Sequence, residues 1–201
     1  MKFINGDKFK KDCQEKDKSS LNSIIMDIFD IFAKALIVII ILMTFGLRLC
    51  TVNGSSMNPT LIDRQGLIIC NFFYTPKEGD IVVFHETGVL NEPVVKRVIA
   101  TGNSWVRIDY NNSLLYVSDD DIFDETDIVD ESEYAYFDNG HYDMRGTYEV
   151  FVPKDYIFVM GDNRNNSTDS RSELIGLVDV RTILGKVIIR FSPIEDFGFI
   201  K

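Results

Sequence analysis

The feature that most constrains this chain is Ala35–Leu47, ALIVIIILMTFGL, thirteen residues without a charge. Such a run must be buried, in protein or in lipid. Extending it back to Ile24 adds IIMDIFDIFAK, apolar except for Asp27, Asp30 and Lys34. A bilayer core needs about 20 mostly apolar residues in a helix. The pattern predicts one transmembrane helix starting near Leu21, with Ser19, Ser20 or Asn22 as N-cap. Lys34 would snorkel toward the headgroups. A buried core helix fits less well, because the segments that follow are strand-like and offer no helix to pack on. A cleaved leader would need a small-x-small site, and Leu49-Cys50-Thr51-Val52 has none.

Charge is segregated around this segment. Lys2, Lys8, Lys10, Lys11, Lys16 and Lys18 precede it, and Arg48 and Arg64 are the basic residues soon after it. Lysines concentrate on the cytoplasmic side of membrane helices, so the N-terminus is expected inside. Residues 49–201 carry 25 acidic and 13 basic side chains, a net of −12. A body this acidic is a poor ligand for phosphate backbones, and no nucleic acid partner is expected. Two His and three Cys leave little material for a metal, and neither a metal nor a cofactor is expected. Cys50 and Cys70 fit either a bridge or two buried thiols. The expected division is a lysine-rich tail at 1–22, an anchor at 23–48 and an extracytoplasmic body at 49–201.

The body has the texture of a mostly β protein, a barrel or sandwich. Short β-branched and aromatic runs occupy 66–74, 80–86, 93–101, 105–110, 114–117, 148–152, 156–160, 177–180 and 186–191. Gly, Pro and Asn clusters separate them, including a tight turn at Asn111-Asn112-Ser113. Ser118–Asp138 holds ten acidic residues and neither Lys nor Arg. It reads as a solvated excursion, part of a small β-rich insertion at roughly 103–146.

Three segments carry chemistry. In Asn53-Gly54-Ser55-Ser56-Met57-Asn58-Pro59, glycine and proline fix a turn around Ser56. Such a turn can aim a hydroxyl and its own N–H at one point. In Val94-Val95-Lys96-Arg97-Val98, alternation puts Lys96 on the face of Val94 and Val98, the face expected to be buried, and Arg97 on the other. Burial lowers a lysine pKa, and a neutral amine is a competent base. In Met160-Gly161-Asp162-Asn163-Arg164-Asn165-Asn166-Ser167-Thr168-Asp169-Ser170-Arg171, a strand enters a long polar loop. A calcium loop is excluded there, because Arg164 stands where an oxygen ligand is needed and the required glycine is missing.

Taken in this order behind one apolar segment, these motifs resemble type I signal peptidases, membrane-bound serine proteases of bacteria. The likeness rests on the anchor, GSSMNPTL, GDIVVF, VKRVIATGN and MGDNRNNSTDSR, and spans almost the whole chain. The size and short excursion resemble the Gram-positive form. The resemblance implies Ser56 as nucleophile and Lys96 as general base. It implies that Ser167 holds the Lys96 amine and that Asp169 pairs with Arg171 and Arg97, with Asp162 among the supporting residues. The Ser56 N–H would serve the oxyanion; Gly54 stands where some relatives carry a second, hydroxyl donor. A backbone N–H, a water or Ser55 would then supply it. The implied substrates are signal peptides of exported preproteins, cut after small-x-small sites near the secretion translocon at the lipid bilayer. They would lie extended along Asp80–Phe84 and Pro93–Val95, with Met57, Val82 and Val95 as pocket walls.

Other readings are weighed against this one. A self-cleaving repressor-type protease would need a DNA-binding domain, which the sequence does not show. A histidine base would have to be His85 or His141, and Lys96 already occupies that position. A peptidase dedicated to one client such as a pilin fits the same residues. A non-catalytic β module leaves Ser56, Lys96 and the 160–171 motif unexplained.

Overall fold

The computed structural model describes residues 24–41, 44, 46–85 and 92–200. The lysine-rich tail, its candidate N-caps and Cys13 lie outside the described residues. Two compact units part between Phe45 and Gly46.

In the first unit residues 24–41 form an α-helix that is apolar except for Asp27, Asp30 and Lys34. Ile24, Phe29, Ile31, Phe32, Ile37 and Ile39 are all exposed. Lys34 does not stand alone, since its Nζ meets Asp30 Oδ2 at 2.6 Å one turn back. Among the described residues no helix is long and apolar enough to cross a membrane.

The second unit is almost entirely antiparallel sheet. Its strands are β1 (Leu47–Thr51), β2 (Gly66–Cys70), β3 (Ile81–Phe84), β4 (Val94–Ala100), β5 (Ser104–Asp109), β6 (Leu114–Ser118), β7 (Thr147–Val152), β8 (Tyr156–Met160), β9 (Val178–Asp179), β10 (Ile183–Ser192) and β11 (Gly198–Phe199). The large sheet runs β1-β2-β10-β3-β4-β8-β9, with β11 on β10. The small sheet runs β6-β5-β7. Strand β1 begins at Leu47, inside the stretch expected to be anchor. The 148–152 run belongs to the small sheet rather than the large one. The insertion between the neighbours β4 and β8 therefore extends to Val152, past the expected 146.

Alternation sorts the core. In β3, Ile81 and Val83 enter one apolar cluster with Met57, Leu61 and Leu67; Val82 and Phe84 enter another with Val98, Val159 and Ile183. Burial on both faces explains why these strands read as unbroken apolar runs. A third cluster joins the small sheet to β8 through Val106, Ile108, Leu115 and Phe158. Cys50 faces Leu67 across the β1–β2 ladder and Cys70 faces Leu47. Three register positions along a strand are about 10 Å, beyond the reach of a disulfide. Both thiols are free, and burial pushes Cys50 up to about 11.

Candidate active site

The turn after β1 presents Ser56. Gly54 sits at φ +92°, a conformation that side-chain-bearing residues rarely adopt. Its N–H donates to Asp63 Oδ1 at 2.8 Å. That bond withdraws the Gly54 amide from any oxyanion. Asn58 N–H closes the turn on Ser55 O at 3.0 Å, and the Met57 side chain is buried in the core below. From the opposite side Asn163 grips the same turn. Its N–H donates to Ser56 O at 3.0 Å and its Nδ2 to Ser55 O at 3.2 Å. Among the described residues the Ser56 N–H has no acceptor.

Lys96 reaches this turn from β4. Its Nζ lies 2.7 Å from Ser56 Oγ and 3.1 Å from Val95 O. The side chain is 3% exposed and has no carboxylate at ion-pair distance among the described residues. Burial brings its pKa from an ordinary 10.5 to about 8, against the opposing pull of Asp169 and Asp162. Arg171 adds slightly to the depression.

Arg97 is also buried, so the expectation of one buried face on β4 is corrected. Asp162, expected among the supporting residues, receives Arg97 Nε at 2.8 Å and Nη2 at 2.7 Å on its carboxylate. Arg97 Nη1 donates to Gly79 O at 2.8 Å, and the guanidinium lies 4.2 Å from the Tyr134 ring centre. The expected Asp169–Arg97 pair is thus replaced by Asp162–Arg97. Register explains it: Arg97 faces Met160, and Asp162, two residues on, continues the same side. Asp169 keeps its other expected partner, with Arg171 Nε at 2.7 Å and Nη2 at 2.8 Å. Burial would raise the Asp169 pKa, but Arg171 and the Gly161 N–H hold it below the usual carboxylate range.

Ser167 is not a partner of Lys96. Its Oγ is buried without a partner at hydrogen-bonding geometry, although the Asp169 carboxylate lies near enough to feel it. It packs on Gly161, where an added Cβ would stand 2.2 Å from Ser167 Oγ and 2.4 Å from Ser56 O. Only a glycine allows the loop to come this close to Ser56. The sequence marked neither Gly161 nor Asn163 as special within a uniformly polar loop.

An open cleft of about 320 Å³ surrounds the Ser56–Lys96 pair. Val95 lines it, with Val52, Pro93, Leu174 and Ile175; Met57 borders it, but its side chain is 1% exposed and packs into the core. Val82 does not. It is 0% exposed, inside the core on the strand beside Lys96. Strand β3 also lacks a free edge, since β10 and β4 flank it. Among the described residues the open edge belongs to β4: Val94, Val95 and Lys96 pair with β3 alone, and β8 joins only from Arg97 onward.

A serine hydroxyl bonded to a buried amine, beside an open strand edge, is the equipment of a serine hydrolase that acts on extended peptide. The sequence model described as signal peptidase, peptidase S26 matches residues 25–192, and the chain belongs to that family. Signal peptidase IB of Staphylococcus aureus strain MRSA252 is 32% identical over 184 residues, covering 83% of this chain and 89% of that protein. The chloroplastic thylakoidal processing peptidase 1 of Arabidopsis thaliana is 31% identical over 157 residues, covering 71% of this chain and 41% of that protein. The crystal structure of a signal peptidase I from Enterococcus faecalis V583 is 24% identical, with a TM-score of 0.41, and covers 56% of this chain and 97% of that one.

Proposed function

We propose that this chain is a membrane-anchored serine endopeptidase that removes signal peptides from exported preproteins after small-x-small sites. Ser56 is the nucleophile and Lys96 the general base. The observation that carries the assignment is the 2.7 Å approach of a buried amine, with a pKa near 8, to Ser56 Oγ.

The substrate adds to the Val94–Lys96 edge as an extended strand, its small side chains facing the apolar lining of the cleft. Ser56 Oγ attacks the scissile carbonyl as its proton passes to Lys96 Nζ. The tetrahedral oxyanion accepts the Ser56 N–H. Collapse breaks the C–N bond, and the protonated Lys96 gives its proton to the leaving amine. A water, deprotonated by Lys96 Nζ, then attacks the acyl ester; the C–Oγ bond breaks and Lys96 returns the proton to Ser56 Oγ. The reaction needs neither a metal nor a cofactor.

Membrane attachment is supported by a largely apolar helix, whose charges are Asp27, Asp30 and Lys34, behind six lysines. The lysine-rich tail is cytoplasmic and the catalytic body extracytoplasmic, close to the secretion translocon. Signal peptides and lipid are its partners.

The test is cleavage of a preprotein carrying an Ala-x-Ala site, in detergent, with the cut mapped by mass spectrometry. Wild type cuts directly after the second alanine, and Lys96→Ala does not. Equal cleavage by the variant rejects Lys96 as base. No cleavage by folded wild type rejects a general signal-peptide specificity.

A further inference from the structure

The acidic insertion is not wholly a solvated surface. Its first part, 119–130, points its carboxylates outward and caps its own turns, as Asp124 does for Thr126. Its second part turns inward against the loop that grips Ser56. Arg164, in the middle of that loop, has a fully buried side chain. Both of its terminal nitrogens meet the Glu131 carboxylate, Nη1 at 2.7 Å and Nη2 closer still. Arg164 Nη1 also donates to Tyr142 Oη at 3.0 Å, and Nε to Gly161 O at 3.1 Å. Burial opposes a charged guanidinium here, and the Glu131 carboxylate more than compensates for it.

The backbone repeats the connection. Tyr136 N–H donates to Asp162 O at 2.8 Å, and Arg164 N–H to Tyr136 O at 2.9 Å. Between those two bonds lies Asn163, whose N–H holds Ser56 O. The path from insertion to nucleophile therefore runs Glu131, Arg164, Asn163, Ser56, each step an ion pair, a peptide link or a hydrogen bond. Tyr134, from the same segment, covers the Arg97 guanidinium, next along β4 from Lys96.

We propose that Glu131 is a positioning residue for the Ser56–Lys96 pair, acting through Arg164 and the 161–166 loop. The inference rests on the peptidase reading for its activity arm. Glu131 does not line the cleft, so its removal leaves substrate binding alone. Asn166, in the loop it locks, lines the cleft beside Lys96, so a loosened loop would admit water to the amine. The charges bearing on Lys96 are Asp162, Asp169 and Arg171; Glu131 is not among them. Its influence on the amine is therefore mechanical, through hydration.

The experiment compares wild type, Glu131→Gln, Glu131→Asp and Glu125→Gln, the last an exposed carboxylate of the same insertion. Lys96 is titrated by competitive labelling with acetic anhydride and peptide mass spectrometry, which needs no substrate. Cleavage kinetics are measured in parallel on preparations shown to be folded by circular dichroism. Glu131→Gln should move the Lys96 titration upward by at least half a pH unit and lower kcat by about tenfold to a hundredfold. KM should stay within about twofold. Glu131→Asp should fall between it and wild type, and Glu125→Gln should match wild type. Should Glu131→Gln fail to fold, the Glu131→Asp titration decides. A wild-type Lys96 titration in folded Glu131 variants overturns the proposal. Wild type that titrates as described but cleaves nothing rejects the peptidase reading and leaves the Glu131 coupling standing.

Discussion

Lys96 and Arg97 are neighbours on one strand, both nearly inaccessible, and their surroundings are opposite. Arg97 faces the Asp162 carboxylate with two hydrogen bonds. Lys96 faces a hydroxyl and a carbonyl. A guanidinium cannot lose its charge in a protein, so burying it requires a counter-ion; an amine can lose its charge, and burial pushes it to do so. Arg164 and Arg171 follow the first pattern, with Glu131 and Asp169 as partners. The site is thus a floor of neutralised arginines under a lysine left unpaired. The paired cations hold the loop, and the unpaired one is free to move a proton.

The sharpest attempt to break this contrast is to take a partner from the floor. Asp162→Ala leaves Arg97 buried and uncompensated, which should cost about 3–5 kcal/mol of stability. A fall of less than about 1 kcal/mol in urea unfolding would mean that the floor is not structural. Next in size is Gly161→Ala. The added methyl must displace Ser167 Oγ or Ser56 O, from 2.2 and 2.4 Å. A nucleophile shifted by about 1 Å should cost about a hundredfold in kcat, read by single-turnover cleavage.

The smallest change has the opposite sign. Lys96→Met removes a cation that burial disfavours and should stabilise the fold at pH 7 by roughly 1–3 kcal/mol while abolishing cleavage. The folded-state pKa lies below that of the unfolded chain, so the unfolded state binds the extra proton between about 8 and 10.5. Wild type therefore gains stability as pH rises through that window, and the advantage of Lys96→Met should fade across it. A variant less stable than wild type at pH 7 would show that Lys96 is compensated after all.

Much of this contrast was legible in the sequence, and the limits of that reading are physical. Ser56, Lys96 and the 160–171 loop announce themselves through glycine, proline and a basic residue in an apolar strand. Strand positions followed from β-branched runs, apart from β1, whose residues merge with the apolar segment before it, and the two-residue β11, which is too short to carry a pattern. Partner choice was not legible. Whether Arg97 meets Asp162 or Asp169 depends on the β4–β8 register, which no local pattern sets. Val82 and Val95 look alike in a string of valines, and only the order β10-β3-β4 decides that one is core and the other cleft wall. Glu131 was hidden among ten carboxylates, since composition cannot separate the one that turns inward from those that stay in solvent.

The most direct test of Lys96 as a neutral base is the pH dependence of kcat/KM for the preprotein, with single-turnover kinetics showing that chemistry limits the rate. A neutral Lys96 as base predicts a tenfold rise per pH unit below about 8, levelling off above it. A flat profile from about pH 6 to 10 would contradict that assignment and with it the division between paired and unpaired cations.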